Sequence, residues 1–201
     1  MLTGSCVTRK TGGARLGWPL KEEVSSFFSD FNQILKECPM SNVKAVNREA
    51  LQKAQAAMCN ILEARALTVA DVSSVMSAAF GGTDAAGAWD WRMGFDVMQA
   101  AALNVVTRQL AGCASSEAGL AVVEALASNL PTETRRSERQ MQLQQFSTAL
   151  PWGWVVAQAG DVHSGDVVLE PSAGIGCLAA LGQASVGAAF GPKPKMLLNE
   201  I

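Results

Sequence analysis

The chain has 201 residues and a formal net charge of −2, a length that fits one ordinary domain or one small domain with part of another. Apolar residues make up 49% and charged residues 17%, which is typical of a globular protein and excludes a disordered one. The near-neutral balance argues against a protein that holds nucleic acid by bulk charge alone.

Cysteine spacing and hydropathy indicate in which cellular compartment the protein is expected. The five cysteines, at positions 6, 38, 59, 113 and 177, form no C-x-x-C pair, so we expect neither a disulfide framework nor a metal site, and a reducing cytoplasm fits best. No run approaches 18 apolar residues, so no membrane span is predicted. Residues 1–20 carry three basic side chains and no acid, and we expect a flexible leader and not a signal peptide.

Residues 21–130 are predicted to form a helical bundle, because apolar side chains recur at spacings of three and four. A first helix, over 21–38, ends before Pro39, and a second runs from about residue 48 to 66. Their predicted inner faces consist of Val24, Phe27, Phe28, Phe31, Ile34 and Leu35 in the first helix, and of Leu51, Ala54, Met58, Ile61 and Leu62 in the second.

Three more helices follow within this region. Thr68 is the expected cap of a helix that ends at Phe80, before a break at Gly81, and Thr83 or Asp84 is expected to cap a long helix that ends near Leu110. A shorter helix then ends near residue 129. The predicted inner face of the helix that ends at Phe80 consists of Val69, Val72, Val75 and Met76. That of the long helix consists of Trp89, Met93, Val97, Ala100, Ala101 and Val105, and that of the last helix of Leu120, Val123, Ala127 and Leu130.

The pattern changes after Pro131. A polar stretch over 132–140 predicts a linker or a solvated face, and short helices are predicted over 140–146 and 152–159, with Trp152 and Trp154 covering a sheet. The runs VVLE and MLLNEI are typical of buried parallel strands. Between them lie the segment PSAGIG and a small-residue helix, CLAALGQAS. The order strand, glycine loop, helix, strand predicts one βαβ unit in residues 131–201.

The glycine loop is the candidate site. Gly174 would let the backbone approach a ligand, Gly176 would permit a tight entry into the following helix, and Glu170 would lie at the edge where such sheets bind ligands. Glu200 follows Gly176 by 24 residues, near the offset at which an acid binds ribose hydroxyls in nucleotide folds. The pattern alone leaves two interpretations open, a nucleotide-like site and an empty strand–loop–helix turn.

Three segments are similar to a known family. VVLEPSAGIG resembles the first motif of class I S-adenosylmethionine-dependent, adenine-specific DNA methyltransferases, LQQFSTALP resembles their F-S-T-P segment, and LLNEI resembles their second motif. In combination, and together with AAFGGTDAAGAWDW, these segments look most like bacterial strawberry-notch-like methylase/helicase proteins over residues 68–201. The implied fold is a helical domain followed by the incomplete start of a Rossmann-like methyltransferase domain.

The resemblance implies a partial S-adenosylmethionine site. Phe146 and Thr148 would line the methionine side of the cofactor, and Glu200 would bind its ribose. The loop around its amino-acid portion would consist of Glu170, Ser172, Gly174 and Gly176. Ala149 and Ile175 depart from the family pattern, where Pro and Thr are usual.

The catalytic signature of the family, N/D-P-P-F/Y/W, is absent from this sequence, as is a phosphate-binding G-x-x-x-x-G-K-S/T. We therefore expect a fragment of a DNA methyltransferase/helicase-like protein that is inactive alone. DNA is the substrate in the family. The alternatives are a non-catalytic helical protein that binds a complementing chain, or a second copy, through an open strand edge, and a decayed remnant.

Remaining candidates have simpler interpretations. His163, the single histidine, is expected in a solvated turn. Cys177 begins the helix after the glycine loop, where its pKa could be lowered, although small-residue packing is the stronger interpretation. Of Trp89 and Trp91, one is expected in the core and the other at the surface.

Overall fold

The computed structural model describes residues 47–133, 147–186 and 193–199. This part of the chain is mostly helical and contains a two-stranded parallel sheet. In chain order the elements are α1 (Arg48–Ala64), α2 (Val69–Phe80), α3 (Trp91–Leu110), α4 (Ser116–Ser128), α5 (Leu150–Ala159), β1 (Val167–Glu170), α6 (Cys177–Ser185) and β2 (Lys195–Leu198). The expectations for residues 1–38 and 140–146 lie outside the described residues.

Side-chain caps fix where the first four helices begin. The caps of α1 to α4 are Asn47, Thr68, Asp90 and Ser115, and each side chain accepts a backbone N–H from the first turn of its helix. The cap predicted at Thr68 is confirmed and is part of a capping box with Asp71. The predicted break is also confirmed, because Gly81 ends α2 with a left-handed φ of +70°.

The predicted start of the long helix at Thr83 or Asp84 is wrong. Both residues instead build a turn, in which the Thr83 hydroxyl accepts the N–H of Ala86 and the Asp84 carbonyl accepts the N–H of Gly87. The indole of Trp89 then donates to the Gly82 carbonyl at 3.1 Å. These contacts fold residues 82–90 back on themselves, and the helix begins only at Trp91.

Helix α3 is the centre of the helical part, since α1, α2, α4 and α6 all pack against it. Its buried side chains include Phe95, Val97, Met98, Ala101, Leu103, Val105 and Val106, and those of its neighbours include Met58, Leu62, Val72, Met76 and Val123. Most of the predicted inner faces are confirmed. Val69 is an exception, because it lies at the exposed start of α2.

Trp154 joins α5 to α4 instead of covering the sheet, so this part of the prediction is wrong. Its ring lies directly over Gly119, where an added Cβ would be 2.4 Å from Cζ2 of the indole. Its indole N–H donates to the Ser116 carbonyl at 3.0 Å. Trp152, two residues earlier, is 69% exposed. The aromatic side chain that sequence reasoning assigned to the sheet therefore stabilises a contact between helices.

The two strands pair in parallel, with Val167 opposite Lys195 and Glu170 opposite Leu198. Helix α6 packs on one face of β1, and an added Cβ at Gly182 would meet Met196 Cε at 3.3 Å. The other face exposes Val167, Leu169 and Leu197. The strands are confirmed, but the expectation that they are buried is wrong for this face, because no described element covers it.

The described residues all belong to one unit, Pro39–Ile201. Helices on either side of residue 131 are in direct contact, α3 with α6 and α4 with α5, and the predicted division into domains at residue 131 stays a prediction. Among the described helices, none combines the length and the apolar character needed to cross a bilayer.

Candidate functional site

The candidate site is the loop over residues 171–176, which connects β1 to the start of α6. The loop lies at the carboxyl ends of the two parallel strands, since β1 ends at Glu170 directly opposite the end of β2 at Leu198. In open α/β sheets this is the edge at which ligands bind. The position of the loop therefore favours it as a binding site.

Two glycines in the loop have conformations that other residues rarely adopt. Gly174 has φ of +52° and Gly176 has φ of +79°, both in the left-handed region. Gly176 is buried and precedes the first residue of α6. A Cβ at Gly174 would meet no atom within 4 Å, so glycine is favoured there by the backbone conformation and not by crowding, and the space beside it is open.

Hydrogen bonds from the end of β2 hold the first half of the loop. The backbone N–H of Asn199 donates to the Glu170 carbonyl, and the Asn199 carbonyl accepts the N–H of Ala173, both at 2.9 Å. The side-chain amide of Asn199 also donates to the Pro171 carbonyl at 3.4 Å. A shorter bond, from the Gly176 N–H to the Ala173 carbonyl at 2.7 Å, closes the second half.

Glu170 and Ser172 lie together at the beginning of the loop. The N–H of Ser172 donates to the Glu170 carboxylate at 3.3 Å, and Ser172 is exposed while Glu170 is half-buried. This contact fixes the direction of the carboxylate from within the loop. Glu170 therefore places a carboxylate at the edge where the two strands end, beside the backbone of the exposed Ser172.

Cys177, the first residue of α6, is buried. Burial raises the pKa of its thiol to about 12, and the charge of Glu170 contributes in the same direction. The sulfur also lies against α5, where an added Cβ at Gly153 would be 3.0 Å from it. The packing interpretation of Cys177 is thus confirmed, and a lowered pKa is not found.

The structure brings together four of the seven predicted site residues: Glu170, Ser172, Gly174 and Gly176. Thr148 is exposed and lies just before α5, and no described hydrogen bond joins it to the loop. Phe146 and Glu200 lie outside the described residues. The sequence did not predict that Asn199 contacts the loop. Two of its three contacts are made by backbone groups, which every residue type has, so the residue pattern carries no signal for them.

Within the described ranges, the other candidates do not form a second site. His163 is exposed in a turn, as expected. Its backbone N–H donates to the Asp166 carboxylate at 2.8 Å. Over the described ranges, no three side chains of the metal-ligating types come together. Trp89 is buried, and the half-buried Trp91 donates its indole N–H to Asp84 at 2.8 Å, so one belongs to the core and the other lies near the surface.

Comparison with known proteins adds no relative to this description: no family model, no curated protein and no solved structure matches the chain.

Proposed function

We propose that this chain binds S-adenosylmethionine at the 171–176 loop, as part of a strawberry-notch-like, adenine-specific DNA methyltransferase/helicase protein. The observation that carries the proposal is the combination of two left-handed glycines, Gly174 and Gly176, with a parallel strand pair that ends at the same edge. In this proposal the βαβ unit is the start of a Rossmann-like domain. DNA is the substrate that the proposed family implies.

The residues present suit the amino-acid portion of this cofactor. Among the described residues no side chain caps α6, and in this proposal its first backbone N–H groups bind the cofactor's carboxylate, which the helix dipole also favours. Glu170 supplies the opposite charge that an ammonium group would need, and the open space beside Gly174 leaves room for close approach. When bound, the cofactor carries the methyl group on a positively charged sulfur.

The proposal for these 201 residues is binding and not methyl transfer. Adenine-specific enzymes accept the protons of the target amine with the N/D-P-P-F/Y/W motif and stack the flipped base on its aromatic ring. This sequence contains no Pro-Pro pair. We therefore assign no catalytic residue, and the role of Glu200 as the ribose ligand remains part of the proposal.

The proposal is tested by titrating the purified chain with S-adenosylmethionine in a calorimeter, alongside Gly174→Asp. Aspartate tolerates a left-handed φ better than most residues, so the change mainly adds a carboxylate where the cofactor's own carboxylate is expected. Gly87→Asp is the matched control, because Gly87 has φ of +71° with nothing within 4 Å of an added Cβ and lies in the turn before α3.

Saturable binding that is lost in Gly174→Asp and kept in Gly87→Asp is the expected result. Absence of heat for the unaltered chain at millimolar cofactor would contradict the proposal. Equal loss in both variants would also contradict it, because the effect would then come from the added charge or from strain and not from the loop.

A second candidate function is non-catalytic association through the sheet. It is favoured by the face of β1 and β2 that exposes Val167, Leu169 and Leu197, with exposed fractions of 63%, 65% and 42%. Exposed apolar side chains that lie together on a sheet face are typical of a surface that a partner covers. Strand addition, the route expected from the sequence, would instead use backbone groups at a strand edge. In this alternative the loop is a structural turn.

Light scattering after size-exclusion chromatography tests self-association through this face. If the sheet mediates it, Val167→Lys shifts the chain to the monomer mass. Val155→Lys is the matched control, since Val155 is also an exposed valine, 43% accessible, but lies on α5. A chain that is monomeric at every concentration contradicts self-association through this face, and the same shift in both variants contradicts a specific role for the sheet.

A further inference from the structure

The residue after the second strand is hydrogen-bonded to the end of β1 and to the first half of the loop. Asn199 makes three hydrogen bonds there: its N–H donates to the Glu170 carbonyl, its carbonyl accepts the Ala173 N–H, and its side-chain amide donates to the Pro171 carbonyl. The second half of the loop is closed by its own bond, from Gly176 to Ala173.

From this arrangement we infer that Asn199 is a positioning residue for S-adenosylmethionine, which fixes residues 170–173, the end of β1 and the first half of the loop, in their binding conformation before the cofactor arrives. The inference rests on the function proposed above. Asn199 itself need not touch the cofactor. It acts through the backbone of Glu170, at the end of β1, and of the loop, to which Ser172 and Gly174 belong.

The physical reason is conformational entropy. Two loop glycines give the segment more accessible backbone conformations than other residues would, and ordering such a segment costs conformational entropy. A loop that is already held by its neighbours avoids this cost on binding, so the affinity is higher. Asn199 is exposed, and its replacement therefore leaves no cavity in the core.

Three variants distinguish the contribution of the Asn199 side chain from that of its backbone N–H. Asn199→Ala removes the side-chain bond, Asn199→Asp keeps the size but replaces the amide donor with a carboxylate that faces the Pro171 carbonyl, and Asn199→Pro removes the backbone donor as well. Asn60→Ala is the matched control, because Asn60 is likewise exposed but lies on α1. Each variant is titrated with S-adenosylmethionine, and its thermal unfolding and its hydrogen exchange at 171–176 are measured.

We expect the cofactor affinity to fall about two- to five-fold in Asn199→Ala, at least as much in Asn199→Asp, and more than about ten-fold in Asn199→Pro, as one and then two hydrogen bonds are lost. Exchange at 171–176 should increase in the same order. The unfolding temperature should stay within about 2 °C in the alanine and aspartate variants, since surface changes are small. The Asn60→Ala chain should match the unaltered one in all three measurements.

Unchanged affinity in both the alanine and the proline variants would overturn the inference, and so would a loss of affinity that only follows a fall in unfolding temperature. If the unaltered chain binds no cofactor, the proposed function fails by itself. In that case hydrogen exchange decides on Asn199: unchanged exchange at 171–176 in the proline variant would overturn its positioning role.

Discussion

The helices α1 to α4 and the segment from α5 to β2 are stabilised in different ways. Every helix of the first group has a side-chain cap, whereas α5 and α6 have none. The first group buries large side chains such as Met58 and Met76 completely, and the strands of the second leave Leu169 65% exposed. We therefore expect the first group to contribute more to stability, whereas the second group contains the exposed strand face and the left-handed glycines Gly174 and Gly176.

The sharpest test of this difference is a pair of truncations. Met58→Ala should lower the free energy of unfolding by about 2–5 kcal/mol, because it removes a fully buried side chain from α1 and leaves a cavity. Leu169→Ala should change it by less than about 0.5 kcal/mol, because that side chain is already in contact with solvent. Urea denaturation followed by circular dichroism measures both. Similar losses would show that another surface covers the sheet.

The contact between the two groups can be broken at Gly119. Gly119→Ala places a Cβ 2.4 Å from Cζ2 of Trp154, and overpacking of this kind costs about 1–3 kcal/mol. Gly112→Ala is the control, since its added Cβ would meet only the Gln109 carbonyl, at 3.8 Å. Denaturation of the two variants in parallel is the measurement, and equal stability would mean that the Trp154 ring moves aside without cost.

Each group also contains a buried thiol that responds to alkaline pH. Burial raises the pKa of Cys59 to about 11 and that of Cys177 to about 12, whereas an unfolded thiol titrates near about 8.5. Above that pH the unfolded chain loses protons that the folded chain keeps. The free energy of unfolding should therefore be unaffected by these thiols below about pH 8.5 and fall above it, by up to about 1.4 kcal/mol per pH unit for each thiol.

Denaturation between pH 8 and pH 11 measures this slope. Cys59→Ala and Cys177→Ala should each make it shallower. A slope that neither variant changes would show that both thiols reach solvent in the folded chain.

The smallest expected effects come from the caps. Thr68→Ala should lower the free energy of unfolding by about 1 kcal/mol, because the N–H of Asp71 loses its partner. Ala149→Ser should raise it by about 0.5–1 kcal/mol, since Ala149 has the extended conformation of a cap but no side-chain oxygen. Thermal unfolding of both variants tests the contrast. If the serine does not raise the free energy of unfolding, the first N–H groups of α5 already have hydrogen-bond partners.

Sequence periodicity predicted a helix well where a capping residue and a terminating glycine mark its two ends. Thr68 and Gly81 mark the ends of α2 because capping and the left-handed end depend on neighbouring residues. The start of α3 could not be predicted in the same way. Thr83 and Asp84 are good capping residues, but they lie in a turn. The indoles of Trp89 and Trp91 donate to Gly82 and Asp84 of that turn, and both contacts join residues seven apart in sequence.

For the candidate site, the glycine positions were predictable and their attachment was not. The spacing of Gly174 and Gly176 is sufficient to expect a loop with left-handed backbone. The contact of Asn199 with Ala173 spans 26 residues and uses backbone groups, which every residue type offers. Likewise, the run VVLE predicted burial on two faces, but whether an element covers each strand face depends on tertiary packing.

The packing of Trp154 on Gly119 has a consequence for dividing the chain. The two residues lie on opposite sides of residue 131, the boundary that composition predicts between domains. A chain cut at that boundary would expose the Trp154 ring on one piece and the surface around Gly119 on the other. We therefore expect neither piece to reproduce its part of the structure when it is expressed without the other.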